Sequence, residues 1–184
     1  LSAGKTLCAF DGDYDEGLSS GPSGVDWSNK VRIMAYPGQA AVWLRPLVHG
    51  SGNAGSAVYF QTGSEHYIEF DGINMDGTNM GNNGGAVWMY ISELGEPHHI
   101  RFKNAEFIAR ITDNSAFSAW ASMPVEIHGG LPTIVGGFEF RYLTLHGGGR
   151  PGTTNPDNGY GIYISAPNNL VENCVIYDNK GSGI

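Results

Sequence analysis

The chain has 184 residues, enough for one domain with a buried core and too short for two. Gly accounts for 28 of them, about twice the usual share, charged residues are only 15% against a typical quarter, and Asn occurs fourteen times. That mixture excludes coiled coils and helical bundles, and a hydrophobic content of 41% excludes charged disorder, which leaves a turn-rich all-β protein.

The net charge is −8, and the ten Lys and Arg gather on no face that can be built from the sequence, so nucleic acid is not an expected partner. No apolar run approaches the roughly eighteen residues that cross a bilayer, so no membrane partner is expected either. Low charge with many Asn, Gly and aromatic residues suits a secreted or cell-surface protein that handles carbohydrate. The first residues do not read as a signal peptide, so the expectation is a protein that is cytosolic or whose signal has been removed.

In chain order, Thr6–Phe10 reads as a first strand, with Val31–Ala35 and Ala41–Leu44 completing its coil. Asp11-Gly-Asp-Tyr-Asp-Glu16 has the look of a calcium loop, but its sixth position is Glu16 where Gly is needed and its twelfth is Pro22 where Glu is needed. It reads as an acidic turn. No cofactor is expected, and calcium has no motif behind it. Further on, four segments align without gaps: Phe70–Met75, Phe102–Phe107, Phe140–Leu145 and Val171–Ile176. They begin at 70, 102, 140 and 171, spacings of 32, 38 and 31 residues. In each, the first, fourth and sixth positions are apolar or small, as a strand, a one-residue corner and a second strand would require. The corners fall on Gly72, Asn104, Tyr142 and Asn173; Gly and Asn tolerate positive φ, and Tyr142 is the exception.

Another strand precedes each pair, at Val58–Gln61, Val87–Ile91, Val125–His128 and Ile162–Ser165, each alternating apolar with polar or aromatic residues. Asp113–Ser122 reads as a short helix decorating a loop, and Gly181–Ile184 echoes Gly159–Ile162. Three short strands per repeat, at a period in the solenoid range, predict an all-β right-handed parallel β-helix of about five coils over residues 1–184. An antiparallel sandwich, with Asn83-Gly84 and Asn158-Gly159 as hairpin turns, is the alternative. With Cys8 in the first coil and Cys174 in the fifth, four rises of about 4.8 Å hold them too far apart for a disulfide. Cys174 aligns with Ile73 and Leu143 as a small core residue.

The segments Gly159–Ser165, Asn168–Ile184 and Val31–Pro46 resemble the repeats of the pectate-lyase-like β-helix proteins, a superfamily of secreted polysaccharide lyases, epimerases and hydrolases. The resemblance covers nearly the whole chain and implies architecture, with a polysaccharide as the partner. It departs from the family's catalytic elements. Asn155-Pro-Asp-Asn158 lacks the histidine of the alginate epimerase motif, and the paired-aspartate, Gly-His-Gly and Arg-x-Pro-x-x-Arg elements of polygalacturonases and pectate lyases are absent. Both ends lack the expected caps, which implies a fragment, or a homo-oligomer joined through an uncapped end.

In a parallel solenoid, aligned outward side chains form columns. On the first strand of each coil one column reads Tyr59, Trp88, Glu126, Tyr163 and its neighbour Gln61, Tyr90, His128, Ser165. Exposed aromatics beside a carboxylate and an imidazole suit stacking on sugar rings. Loops folding over this face would instead bury the aromatics as a satellite core. The long connections 45–56, 76–85, 109–123 and 146–158 would bring His49, Asp76, Arg110, Asp113, His146, Arg150 and Asp157 near it. A uronate lyase would draw its cation from Arg110 or Arg150, its base from His128 or His146 and its acid from Tyr90 or Tyr163. A hydrolase would pair Glu126 with Asp113 or Asp157. A non-catalytic glycan-binding or assembly module is the competing class. The adjacent His98 and His99 are expected on opposite faces of a strand, unable to share a metal.

Overall fold

The computed structural model describes residues 1–39, 41–46, 56–60, 63–79, 84–91, 96–109, 122–129, 136–148, 160–179 and 183–184. Among them there are fourteen strands and no helix. The strands are β1 (Thr6–Ala9), β2 (Gly12–Tyr14), β3 (Val31–Ala35), β4 (Val42–Leu44), β5 (Val58–Phe60), β6 (His66–Asp71), β7 (Ile73–Asp76), β8 (Gly84–Ile91), β9 (His98–Ile108), β10 (Ser122–Gly129), β11 (Glu139–His146), β12 (Ile162–Ile164), β13 (Leu170–Glu172) and β14 (Val175–Tyr177). The Asp113–Ser122 helix falls, but for Ser122, outside the described residues; Ser122 opens β10.

Every pairing between these strands is parallel, which removes the antiparallel sandwich. Ten strands make one sheet, ordered β1-β3-β6-β9-β7-β4-β2, with β11 on β9 and both β13 and β14 on β11; the other sheet runs β12-β10-β8-β5. The pairing is solenoid-like: the same two-strand unit recurs at six successive levels, and Ile33, Phe70, Phe102, Phe140 and Val171 stand directly over one another. The count corrects the expected five. Thr6–Ala9 pairs with Val31–Ala35, so β1 and β2 form a level of their own beneath β3 and β4. Cys8 and Cys174 therefore lie five levels apart, and both are free thiols.

Corners make this stacking workable. Gly72, Asn104, Tyr142 and Asn173 all take the left-handed conformation, at φ of 72°, 56°, 55° and 54°. A second line of left-handed residues, Tyr67 and His99 near the starts of β6 and β9 and Gly137 and Asn168 just before β11 and β13, has φ of 50°, 50°, 80° and 59°. Each of these corners turns the chain without adding a residue, so the alternation of faces restarts in the same phase at the four levels that carry them; longer connections stand there between β1 and β2 and between β3 and β4. Inward residues then fill the interior. The Phe70 and Phe102 rings lie 5.0 Å apart and nearly parallel, Phe140 continues the stack 5.7 Å further on, and Phe107 meets Phe102 edge-on at 5.5 Å. All four are buried.

Outward residues of the same strands form a charged ladder. Arg32, Glu69, Arg101 and Glu139 occupy one column in alternating sign, and Asp71, Lys103, Arg141 and Glu172 occupy the next. Glu69, only 3% exposed, meets Arg32 at 3.1 Å, Arg101 at 2.9 Å and Lys103 at 3.3 Å. Arg101 grips Glu139 with two bonds of 2.8 and 3.0 Å, and Arg141 joins Glu139 and Glu172 at 2.9 Å each. Asp71 takes Arg32, Lys103 and the Asn104 amide. Basic residues scattered in the sequence are thus gathered on one face, contrary to expectation, but each is matched by a carboxylate. Burial works to raise Asp71, yet its bonds to Asn104, Arg32 and Lys103 prevail and hold it below the usual 3.8. In Glu139, Arg101 and Arg141 likewise overcome burial and hold the carboxyl below 4.5.

Three outcomes follow. Tyr142 is 55% exposed, so Tyr142→Asn removes little packing and relieves a left-handed bulky residue, and a urea melt should show a gain of about 1 kcal/mol. Glu69→Gln leaves three cations around a neutral amide and should cost about 3 kcal/mol in the same melt. Because Asp71 and Glu139 are depressed in the folded state, their stabilisation is complete above about pH 4.5 and declines as pH falls below it, which an acid titration of the unfolding midpoint will show.

Candidate functional site

On the four-stranded sheet, Val58, Phe60, Val87, Met89, Ile91, Val125, Ile127 and Ile162 are buried toward the interior. The intervening positions form the columns expected from the sequence. Tyr59 pairs in register with Trp88, Trp88 with Glu126 and Glu126 with Tyr163; Tyr90 pairs with His128. Ser165 follows β12, its amide bonded to the Ile127 carbonyl at 3.0 Å. The aromatic rings use this alignment. Trp88 stacks on Tyr59 at 4.9 Å and on Tyr90 at 5.9 Å, with interplanar angles of 16° and 8°.

The face is less open than expected. Trp88 is 6% exposed and forms the filled centre of the stack, while Tyr90 is 38% exposed and Tyr59 and Tyr163 are half-buried. The Tyr59 hydroxyl is pushed above its usual 10 by burial. Tyr160 stands beside Tyr163, their rings 5.8 Å apart and tilted. Trp88 is thus a core residue of this sheet, and Tyr90 is the ring it presents outward.

His146 lies elsewhere, at the end of β11 in the ten-stranded sheet. Its Nε2 meets Glu106 Oε1 at 2.9 Å, and its ring stacks on Tyr177 at 4.9 Å and 13°. An imidazole that donates Nε2–H to Glu106 in its neutral form keeps its lone pair on Nδ1. Glu106 was not among the sequence candidates because 40 residues separate it from His146. The repeat alignment carried the signal: Glu106 pairs with Thr144, two residues from His146 on the same strand face. Asp76 is engaged structurally, meeting Arg45 at 2.8 Å and the Thr78 amide at 2.8 Å, while Arg45 also binds Asp13 and lies over the Trp43 ring. Gln61, His49, Arg110, Asp113, Arg150 and Asp157 lie outside the described residues, as do the side chains of Glu126 and His128.

His98 and His99 do not point apart. The left-handed φ of His99 turns its ring back, and the two Nδ1 atoms come within 2.7 Å. Strand alternation fails there because position 99 is a corner. Among the described residues no group of three or more His, Cys, Asp or Glu side chains is arranged to hold a metal ion.

Removing the Trp88 ring empties the middle of a buried stack. Trp88→Ala should therefore cost about 3–5 kcal/mol in a denaturant melt, whereas Tyr90→Ala should cost less than about half of that, which makes Tyr90 the proper surface probe.

Comparison with family models, with curated proteins and with solved structures finds no match to this chain.

Proposed function

We propose that the chain is a right-handed parallel β-helix of the pectate-lyase-like kind that binds a polysaccharide along the outward face of β5, β8, β10 and β12, outside the cell. The observation that carries this reading is the ring stack of Tyr59, Trp88 and Tyr90, with Glu126 and Tyr163 at the backbone positions in register with Trp88 and His128 at the position in register with Tyr90. Successive strands stand about 4.8 Å apart, close to the length of one sugar unit, so the column supplies repeating contacts to a repeating ligand. Tyr90 and the half-buried tyrosines offer ring faces or edges and hydroxyls, the combination that suits pyranose rings.

A second reading, cleavage, is favoured by the Glu106–His146 pair. With Glu106 fixing the tautomer, His146 Nδ1 is a base able to take the proton beside a uronate carboxyl group. Arg110 or Arg150 would supply the cation of that step. In the hydrolytic version Glu126 and either Asp113 or Asp157 act as the two carboxyl groups.

A glycan array followed by calorimetry tests the first reading. Wild type should bind at least one polysaccharide, and Tyr90→Ala should weaken that binding about tenfold, a change of about 1.4 kcal/mol. Equal binding by the variant, or no binding to any glycan, overturns it. The second reading is checked on the bound glycan. Ultraviolet absorbance of an unsaturated product, abolished in His146→Gln, marks a lyase; new reducing ends without absorbance mark a hydrolase; neither leaves a binding module.

A further inference from the structure

The segment between β2 and β3 does not simply connect them. Leu18 pairs with Val58 at the edge of the four-stranded sheet, and the chain then crosses to the ten-stranded sheet, where the Gly24 amide bonds to the His66 carbonyl at 2.9 Å. The His66 amide returns a bond to Ser23 Oγ at 3.1 Å. Gly24 is pressed so close that a Cβ there would stand 2.7 Å from the Tyr67 carbonyl oxygen. Trp27 then lies edge-on to Tyr67 at 5.6 Å and to His99 at 6.5 Å, with the Arg101 guanidinium 4.0 Å from its ring centroid. Asp26 caps the turn through the amides of Ser28 and Asn29, and Lys30 Nζ reaches the Trp27 carbonyl.

Tyr67 and His99 form the seat beneath Trp27, and His98 and His66 back it. His66 and His98 stack with ring centroids 4.9 Å apart and planes within 11°. His98 is 5.0 Å from His99, joined to it through the two Nδ1 atoms, and His99 stacks on Tyr67 at 4.8 Å. The Nδ1–Nδ1 bond requires one nitrogen to donate and the other to accept, so it cannot survive protonation of both rings. Tyr67 and His99 also sit at left-handed φ, which the packing above them helps to hold. The charged groups facing the seat are Glu139 from β11, which attracts a proton to His99, and Arg101 from β9. Ser64 O engages His66 Nδ1; Glu65 beside it is 5% exposed, and its Oε2 has no hydrogen-bond partner.

We propose that residues 23–29 form an acid-released strap: protonation of His98 and His99 breaks the Nδ1–Nδ1 bond between them and dismantles the seat of Trp27 while the strands beneath remain paired. Like charges on stacked rings repel at these distances, and only Glu139 opposes them directly. Burial first, and then His66 and His99, depress His98 from 6.5 to about 4; burial also lowers His99 against the pull of Glu139. The sign follows. With the strap released His98 and His99 return toward their usual 6.5, so docking is fully favoured above that pH and is lost as pH falls toward 4. Asp71 and Glu139 of the charged ladder, held below their usual values, still carry their charges over most of that range, which separates strap release from acid unfolding.

The difference in emission between wild type and Trp27→Phe reports this one indole during a titration from neutral pH downward. The expected result is a reversible red shift with a midpoint between pH 4 and 6.5, while the far-ultraviolet β signal is unchanged. In a His98→Gln/His99→Asn variant, whose Asn tolerates the left-handed corner, the shift should be absent down to pH 4. A red shift at the wild-type midpoint in that variant overturns the proposal, as does an unmoved Trp27 signal in wild type. If the variant fails to fold, imidazole resonances of wild type decide: a His98 or His99 midpoint coincident with the Trp27 shift supports the strap, and non-coincident midpoints overturn it.

Discussion

The order in this protein depends on turning the chain at the same place on each of four successive levels. A single residue in the left-handed conformation does it, at 72, 104, 142 and 173 on one line and at 67, 99, 137 and 168 on another. Because nothing is inserted at these corners, residues in equivalent positions stand directly over one another, 4.8 Å or so apart. That vertical neighbourhood decides which side chains interact. Phe stacks on Phe within the interior, Arg alternates with Glu outside, and Tyr, Trp and imidazole rings pile on one another.

This vertical order explains what the sequence made legible. The corner at 72, 104 and 173 was readable because Gly and Asn advertise left-handed backbone, and the apolar spacing around it made the fourth, at Tyr142, a matter of alignment alone. The second corner line was hidden. Tyr67 and His99 carry no such signal, and an ordinary alternating strand was the natural reading through them, which is why His98 and His99 seemed to face apart. The first level was miscounted for a related reason: Thr6–Ala9 resembles any short strand, and only its pairing with β3 assigns its place.

The candidate site divides along the same line. The columns of Tyr59, Trp88, Glu126 and Tyr163 follow from counting, because register in a parallel stack is set by alignment. The burial of Trp88 did not follow, since it depends on how closely rings on neighbouring strands and at alternate positions pack. Glu106 escaped because a carboxylate at an outward position is unremarkable until the strand beside it brings an imidazole to it. Chemistry in such a fold is written across levels, not along the chain, and a local motif search cannot see it.

The spacings between repeats carry one more implication. The six-residue segments are free of gaps, yet the distances separating them are 32, 38 and 31 residues, so all variation in length falls in the connections. A residue added to a connection leaves every column intact. One added within Phe102–Phe107 would send the residues after it to the opposite side of the sheet, exchanging interior Phe107 with its outward neighbour and breaking two columns at once. The protein is therefore a rigid frame punctuated by places of free length, and new surface can be grown at those places without renegotiating the frame.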